Sequence, residues 1–98
     1  MSKLEIGMYV RTIKGKIWII NSQQAISGHR KDIINASYNI IDLIEVGDYV
    51  NGMRIDDIDI HSKRLYREMR YDYEIIVEKD IKTIVTKEQF ESMQYKVD

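Results

Sequence analysis

Short apolar runs that alternate with polar residues dominate the chain, and this period of two is typical of half-buried β-strands. Four such runs form two pairs, which are Met8–Ile13 with Lys16–Asn21 and Asp48–Val50 with Met53–Ile60. The first pair is joined by Lys14-Gly15 and the second by Asn51-Gly52. Asn-Gly between apolar runs is a strong signal for a tight hairpin turn. The pattern therefore predicts two hairpins, one within residues 1–22 and the other within 44–60.

The two hairpins begin with related heptapeptides. Leu4–Val10 reads LEIGMYV and Ile44–Val50, 40 residues later, reads IEVGDYV, with four of the seven positions identical. A glycine before a strand usually supplies a positive φ or a bulge, which lets the chain turn sharply into a sheet. We therefore expect both hairpins to start from the same turn. Two copies are too few for a solenoid.

The remaining elements complete a strand-rich chain. Further strands are predicted at Lys31–Ala36, Lys63–Arg67, Tyr73–Glu78 and Ile81–Val85. A helix is predicted over 86–95, where Thr86 and Gln89 form a capping box and Phe90 and Met93 face inward. One helical turn is expected at 39–44. The polar segment Ser22–Arg30, which contains Gly28, is expected to be a mobile loop.

Composition favours one mainly β domain over residues 1–98. Strand-forming Ile, Val, Thr and Tyr are frequent, whereas Ala occurs twice. We expect a small SH3-like barrel or a rolled antiparallel sheet made from the two related hairpins, with a short C-terminal α-helix. The strand Lys16–Asn21 carries Trp18 and is apolar on both faces. One face belongs to the core, and the other is either covered by that helix, which we favour, or exposed between two copies in a homodimer.

Little in the chain points to catalysis. It has no Cys, so disulfides, thiolate metal sites and cysteine catalysis are excluded. Ser27, His29 and Asp32 lie close in sequence but lack a nucleophile-elbow motif, and no phosphate-binding glycine loop occurs. Asp57, Asp59 and His61 suit a divalent metal, but their alternation is also that of a solvent-facing strand with Ile58 and Ile60 inward, which we favour. We therefore predict a non-enzymatic protein without cofactor or metal.

Charge is segregated along the chain despite a net charge of −1. Residues 1–31 carry six Lys/Arg against one Glu, 42–60 carry six acids against one Arg, and 61–71 are basic again. The segment 63–73 interleaves basic residues with tyrosines, which suits a protein interface or, less well, nucleic acid. The alternative is a structural strand pair with Leu65 and Met69 inside and the tyrosine rings packed over the arginine stems. The predicted partner-binding residues are Lys63, Arg64, Tyr66, Arg67, Arg70, Tyr71, Asp56, Asp57 and Asp59.

No apolar run approaches the roughly 20 residues of a membrane span or resembles a signal peptide, so the cytoplasm is the expected location.

Three stretches carry a family resemblance. They are IGMYVRTIKGKI at 6–17, ASYNIIDLIEVGDYVNGMRI at 36–55 and IKTIVTKEQFESMQYKV at 81–97. The first resembles the opening of SH3-like barrels such as KOW and Tudor modules. Together they resemble a family of small uncharacterised phage and prophage proteins of Gram-positive bacteria. The segments between them, 18–35 and 56–80, form the variable part.

That resemblance implies a function through what small phage proteins commonly do. Small phage accessory proteins often bind a host protein, so the expectation is an inhibitor of a host defence protein in the bacterial cytoplasm. An anti-CRISPR protein that blocks an effector nuclease is the expected type. The alternatives are an SH3-like nucleic-acid-binding module and a structural or assembly part of the phage particle.

Overall fold

A computed structural model describes residues 3–94 and confirms the mainly β class. The strands form three antiparallel sheets of three strands each, none of which closes into a barrel by itself, and two short α-helices accompany them. The chain divides into two compact units, one ending at Leu43 and the other beginning at Ile44. The single domain expected from the chain length stays a prediction. No helix among residues 3–94 is long and apolar enough to cross a lipid bilayer.

The first unit is a three-stranded sheet with a helix. Its strands β1 (Tyr9–Thr12), β2 (Ile17–Ile19) and β3 (Ile33–Ser37) lie in the order β2-β1-β3. The helix α1 (Gln23–His29) and a 3-10 turn (Arg30–Asp32) connect β2 to β3, and a second 3-10 turn (Ile40–Leu43) ends the unit.

Alternation along these strands selects the core of the first unit. Val10 lies opposite Trp18 on one side and Ala36 on the other, so these three side chains share a face. The buried cluster on that face consists of Leu4, Met8, Val10, Ile20, Ile26 and Ile33, with Trp18 and Ala36 packed against it. Ile19 alternates with Trp18 and is 48% exposed, so the predicted cover over the second face of β2 is wrong at this residue.

Residues 22–30 correct one sequence prediction. The segment expected to be a mobile loop contains α1, whose N-cap Ser22 accepts a hydrogen bond from the Ala25 amide at 3.1 Å. Ile26 is buried in the core cluster and fixes the inward side of the helix. The sequence did not predict this helix because the segment is polar and contains Gly28. The helix has seven residues, and its two signals are the N-cap Ser22 and the buried side chain of Ile26.

The first heptapeptide forms a tight turn into β1. Gly7 has φ +97°, which glycine adopts readily. Its amide donates to the Ile20 carbonyl at 2.8 Å, and the Met8 amide donates to the Glu5 carbonyl at 3.2 Å. The Ile20 amide returns a bond of 2.8 Å to the Met8 carbonyl. Ile20 thus closes the first hairpin against the heptapeptide.

Within residues 44–94, the second unit contains six strands and a helix. They are β4 (Tyr49–Val50), β5 (Met53–Arg54), β6 (Asp57–Asp59), β7 (Arg64–Glu68), β8 (Tyr73–Val77), β9 (Ile84–Val85) and α2 (Lys87–Met93), with a 3-10 turn at Glu78–Asp80. One sheet has the order β5-β4-β9 and the other the order β6-β7-β8. The sheet β5-β4-β9 therefore repeats the connectivity of the β2-β1-β3 sheet, a central first strand between its hairpin partner and a later strand.

The second heptapeptide repeats the geometry of the first. Gly47 has φ +98°, its amide donates to the Ile55 carbonyl at 2.9 Å, and the Ile55 amide donates to the Asp48 carbonyl at 2.8 Å. The Asp48 amide donates to the Glu45 carbonyl at 3.0 Å. The hairpin turn uses Asn51 at φ +53° and Gly52 at φ +79°, the paired positive values of a type I′ turn.

The predicted strand Met53–Ile60 is divided between the two sheets of this unit. Met53–Arg54 pairs with β4, whereas Asp57–Asp59 pairs with β7. The change occurs at Asp56, whose amide donates to the Tyr66 carbonyl at 2.9 Å. Ile55 is fully buried but Ile60 is 71% exposed, so the inward orientation predicted for Ile60 is wrong. Alternation failed there because β6 ends at Asp59.

The capping box predicted at the C-terminal helix is confirmed. The Thr86 hydroxyl accepts from the Gln89 amide at 3.3 Å, and the Gln89 side chain accepts from the Thr86 amide at 3.1 Å. Phe90 stacks on Tyr49 with ring centroids 4.4 Å apart, but Met93 is 67% exposed rather than inward-facing. The helix ends at Met93, and residue 95 of the predicted span lies outside the described residues.

Candidate interaction surface

The sheet β6-β7-β8 brings several predicted contact residues onto one face. Asp57 lies opposite Tyr66 and Asp59 opposite Arg64, while Tyr66 lies opposite Ile75. Because side chains alternate along each strand, the registers define a single outward set. We name it the tyrosine face; its members are Asp57, Asp59, Arg64, Tyr66, Glu68, Tyr73, Ile75 and Val77.

The opposite face of the same sheet packs into the interior of the second unit. Leu65 lies opposite Ile76, and these side chains are 0% and 3% exposed. Arg67 belongs to this face and its guanidinium lies 3.6 Å from the Glu74 carboxylate. Arg67 is a predicted contact residue like Arg64 and Tyr66, but strand alternation places it on the other face of the sheet. Arg67 therefore pairs across strands instead of extending the tyrosine face.

Aromatic and aliphatic groups are unusually exposed on the tyrosine face. Tyr73 is 57% exposed and Ile75 49%, and the Tyr66 ring meets the Tyr73 ring edge-on with centroids 6.2 Å apart. Exposed tyrosine and isoleucine side chains that lie together are typical of interaction surfaces. Tyr73 and Ile75 were not among the predicted contact residues. The pairing of β7 with β8 would have identified them from Tyr66.

The turn between β7 and β8 extends this surface. Tyr71 is 88% exposed, and the Arg70 guanidinium lies 5.3 Å from the centroid of its ring. The Met69 amide donates to the Asp72 carbonyl at 2.7 Å, which tightens the turn, and the Met69 side chain is 50% exposed. Two predicted residues, Arg70 and Tyr71, are thus held next to each other at the tip of the hairpin.

Other predicted residues have structural roles. The Asp56 carboxylate accepts from the Glu68 amide at 2.7 Å and so fixes the start of the sheet. Asp59 accepts from the amides of His61 and Ser62 at 3.0 and 3.3 Å. Hydrogen bonds from the Ser62 hydroxyl and amide lower the pKa of Asp59 below its ordinary value. Lys63 has φ +56° in the turn that Asp59 stabilises, so its position follows from this turn.

Charge on the tyrosine face is mixed and mainly negative. Three carboxylates, those of Asp57, Asp59 and Glu68, accompany one guanidinium, that of Arg64. This balance suits a partner with both charged signs better than a phosphate backbone. Within residues 3–94, no group of three or more acidic or histidine side chains is arranged to hold a metal ion.

Comparisons of the chain with models of protein families, with curated proteins and with solved structures found no match.

Proposed function

We propose that the protein is a non-enzymatic phage or prophage accessory protein that binds and inhibits a host defence protein in the bacterial cytoplasm. The target class favoured by the resemblance is a CRISPR effector nuclease. The observation that supports protein binding most is the tyrosine face, where Tyr73 and Ile75 are about half exposed beside charged residues. Tyrosine and arginine are enriched among residues that dominate binding energy at protein interfaces.

The comparison of the two units also supports this location for the contact. In the first unit α1 and a 3-10 turn fill the connection between the second and third strands of the sheet. In the second unit the corresponding connection contains the whole sheet β6-β7-β8. This sheet is therefore an addition to a shared three-stranded plan. It also lies within residues 56–80, the part that the family resemblance leaves variable.

One observation favours the nucleic-acid alternative. The exposed Arg70 and Tyr71 side chains combine a cation with a ring on which a base could stack. The carboxylates of the tyrosine face would repel the neighbouring phosphates, so we place this function second.

The proposal is tested with a purified, guide-loaded CRISPR effector nuclease from a Gram-positive bacterium. We expect the protein to co-elute with the nuclease and to inhibit cleavage of target DNA at near-stoichiometric amounts. Replacing two interface anchors in the variant Tyr71→Ser/Tyr73→Ser should weaken binding by about 100-fold. Arg64→Glu, on the tyrosine face, should also weaken it, whereas the matched change Arg54→Glu on the exposed side of β5 should not.

Two results would contradict the proposal. One is the absence of both co-elution and inhibition with the wild-type protein. The other is full inhibition by the double tyrosine variant, provided that its circular dichroism matches the wild type. Binding to labelled single-stranded DNA that falls steeply with salt, and that is lost in Tyr71→Ser, would instead indicate the nucleic-acid function.

A further inference from the structure

We propose that a cleft in the first unit, between the β1-β2 hairpin and α1, binds a nucleoside phosphate. The cleft has a volume of about 610 Å³, within the range of sites for small ligands. The residues that would contact the ligand are Lys14, Lys16, Trp18, Asn21, His29 and Asp32, all of which line the cleft. This inference is independent of the tyrosine face and of the proposed function.

The aromatic wall of the cleft comes from β2 and α1. Trp18 is half-buried, because it packs against the core cluster while also lining the cleft. The His29 ring meets it edge-on, with centroids 5.4 Å apart and an interplanar angle of 67°. His29 is the last residue of α1, so the buried Ile26 on the same helix fixes its position. Trp18 is therefore the ring on which a planar base would stack, and the His29 ring bounds the cleft at an angle to it.

The cationic wall comes from the hairpin turn. Lys14 and Lys16 flank Gly15, which has φ +83°, and both lysines are exposed while lining the same cleft as Trp18. The Gly15 amide donates to the Thr12 carbonyl at 2.9 Å, which holds the turn. Two lysines that line a cleft beside an aromatic ring complement a phosphate, which lysine binds as a point charge.

The polar lining distinguishes a nucleoside phosphate from a simple anion. The Asn21 amide both donates and accepts hydrogen bonds, as the edge of a nucleobase requires. Asp32, whose carbonyl accepts from the Ile13 amide at 2.9 Å, lies beside the Lys14 turn, where its carboxylate offsets part of the positive charge. Residues 1–31 also carry six Lys/Arg against one Glu, which attracts an anion. A free nucleotide and the end of a single strand share this chemistry.

Trp18 is the only tryptophan, so its fluorescence reports on the cleft directly. We expect AMP to change this emission saturably with a dissociation constant below about 1 mM, and adenosine or inorganic phosphate alone to bind at least about tenfold more weakly. An octamer of deoxyadenylate that binds more tightly than AMP would identify single-stranded DNA as the source. Equal or weaker binding of the octamer would identify the free nucleotide.

Matched charge variants locate the phosphate. Lys14→Gln/Lys16→Gln should weaken AMP binding by about tenfold or more, because two charge-assisted contacts are lost. Lys3→Gln/Lys31→Gln makes the same change in net charge with exposed lysines outside the cleft and should alter affinity less than about twofold. Histidine NMR gives a second readout, because the ring signals of His29 should shift and those of His61 should not. The variant Tyr71→Ser/Tyr73→Ser should bind AMP as the wild type does.

Three results would overturn the inference. They are no saturable fluorescence change with AMP up to about 10 mM, equal losses in the two lysine double variants, and AMP-induced shifts at His61 but not at His29. Where the first of these results is accompanied by saturable binding of a glutamate-rich peptide, the ligand is an acidic protein segment instead.

Discussion

The two heptapeptides share a backbone but differ in what their fifth residue does. In the first unit this residue is Met8, which is 8% exposed and belongs to the apolar core, with its sulfur 3.3 Å from the Glu5 amide. In the second unit it is Asp48, which is fully buried and accepts from the Glu45 amide at 2.7 Å and the Lys87 amide at 2.9 Å. The carboxylate thus connects the turn to the first residue of α2.

This difference shows which features of the repeat are fixed by the backbone. The glycine φ values, the closing isoleucine and the hydrogen bonds around the turn agree between the copies. The fifth side chain can be apolar or charged, because the turn leaves it pointing inward and the surroundings decide what it contacts. Met8 meets a hydrophobic cluster, whereas Asp48 meets two backbone donors. The repeat is therefore a scaffold that permits different interiors.

The two copies also differ in the contact made by the glutamate that lies two residues before each glycine. In the first unit the Tyr38 hydroxyl donates to the Glu5 carboxylate at 2.9 Å, and in the second the Lys87 ammonium lies 2.7 Å from the Glu45 carboxylate. A Cβ added at Gly7 would meet the Tyr38 ring at 3.6 Å, and one at Gly47 would meet the Lys87 side chain at 3.5 Å. The glutamate at this position of the repeat is thus bound by a tyrosine hydroxyl in the first copy and by a lysine ammonium in the second.

The largest effect is expected when the second copy receives the residue of the first. Asp48→Met should lower the free energy of unfolding by about 3 kcal/mol, because two buried amide donors lose a charged acceptor. Asp48→Asn keeps one side-chain oxygen and should cost about half as much. Urea unfolding followed by circular dichroism measures both. The control Met8→Leu should cost less than about 1.5 kcal/mol, since volume is nearly conserved. An equal cost for Asp48→Met and Met8→Leu would contradict the proposed role of Asp48.

A smaller, equal effect is expected at the two glycines. Gly7→Ala and Gly47→Ala should each cost about 1–2 kcal/mol, because the added Cβ finds ordinary contact distances but the positive φ is strained. Gly28→Ala is the matched control. Gly28 lies in α1 with nothing near its added Cβ, so alanine should stabilise by about 0.5–1 kcal/mol. Thermal and urea unfolding of the three variants would test this. A cost at only one heptapeptide glycine would show that the two turns are not equivalent.

The smallest effect concerns the two glutamate contacts and depends on pH. Hydrogen bonding to Glu5 raises the pKa of Tyr38, and pairing with Glu45 raises the pKa of Lys87. Because folding raises both values, each contribution to stability is fully present below the ordinary pKa values of 10.0 and 10.5, and is lost as pH rises through the folded-state values. Glu45→Gln should cost less than about 1 kcal/mol at neutral pH, since the pair is exposed to solvent.

NMR titration of the Tyr38 ring carbon and the Lys87 ammonium measures these shifts. Glu5→Gln should return the Tyr38 pKa towards its ordinary value without changing that of Lys87, and Glu45→Gln should do the reverse. A Tyr38 pKa that is unchanged in Glu5→Gln would exclude the hydrogen bond as its cause.

Sequence alone was most informative where the structure depends on local chemistry. The glycine turns, the Asn51-Gly52 hairpin and the Thr86 capping box each involve residues a few positions apart, so backbone preference and one or two hydrogen bonds determine them. The helix α1 escaped prediction because its inward side is fixed by Ile26 alone. The candidate surface was found in part, since the 63–73 segment was identified but its faces were not.

The sequence by itself determined the β-rich class, the related turns and the basic-aromatic segment, because these follow from residue type and short spacing. Tertiary structure alone decided that residues 53–60 contribute to two sheets and that Arg67 faces away from Tyr66. It also decided that Lys14, Trp18 and His29 line one cleft, and that Asp48 caps the start of a helix 39 positions later. Register and long-range pairing place these groups, and they depend on which distant strands meet rather than on the preferences of neighbouring residues.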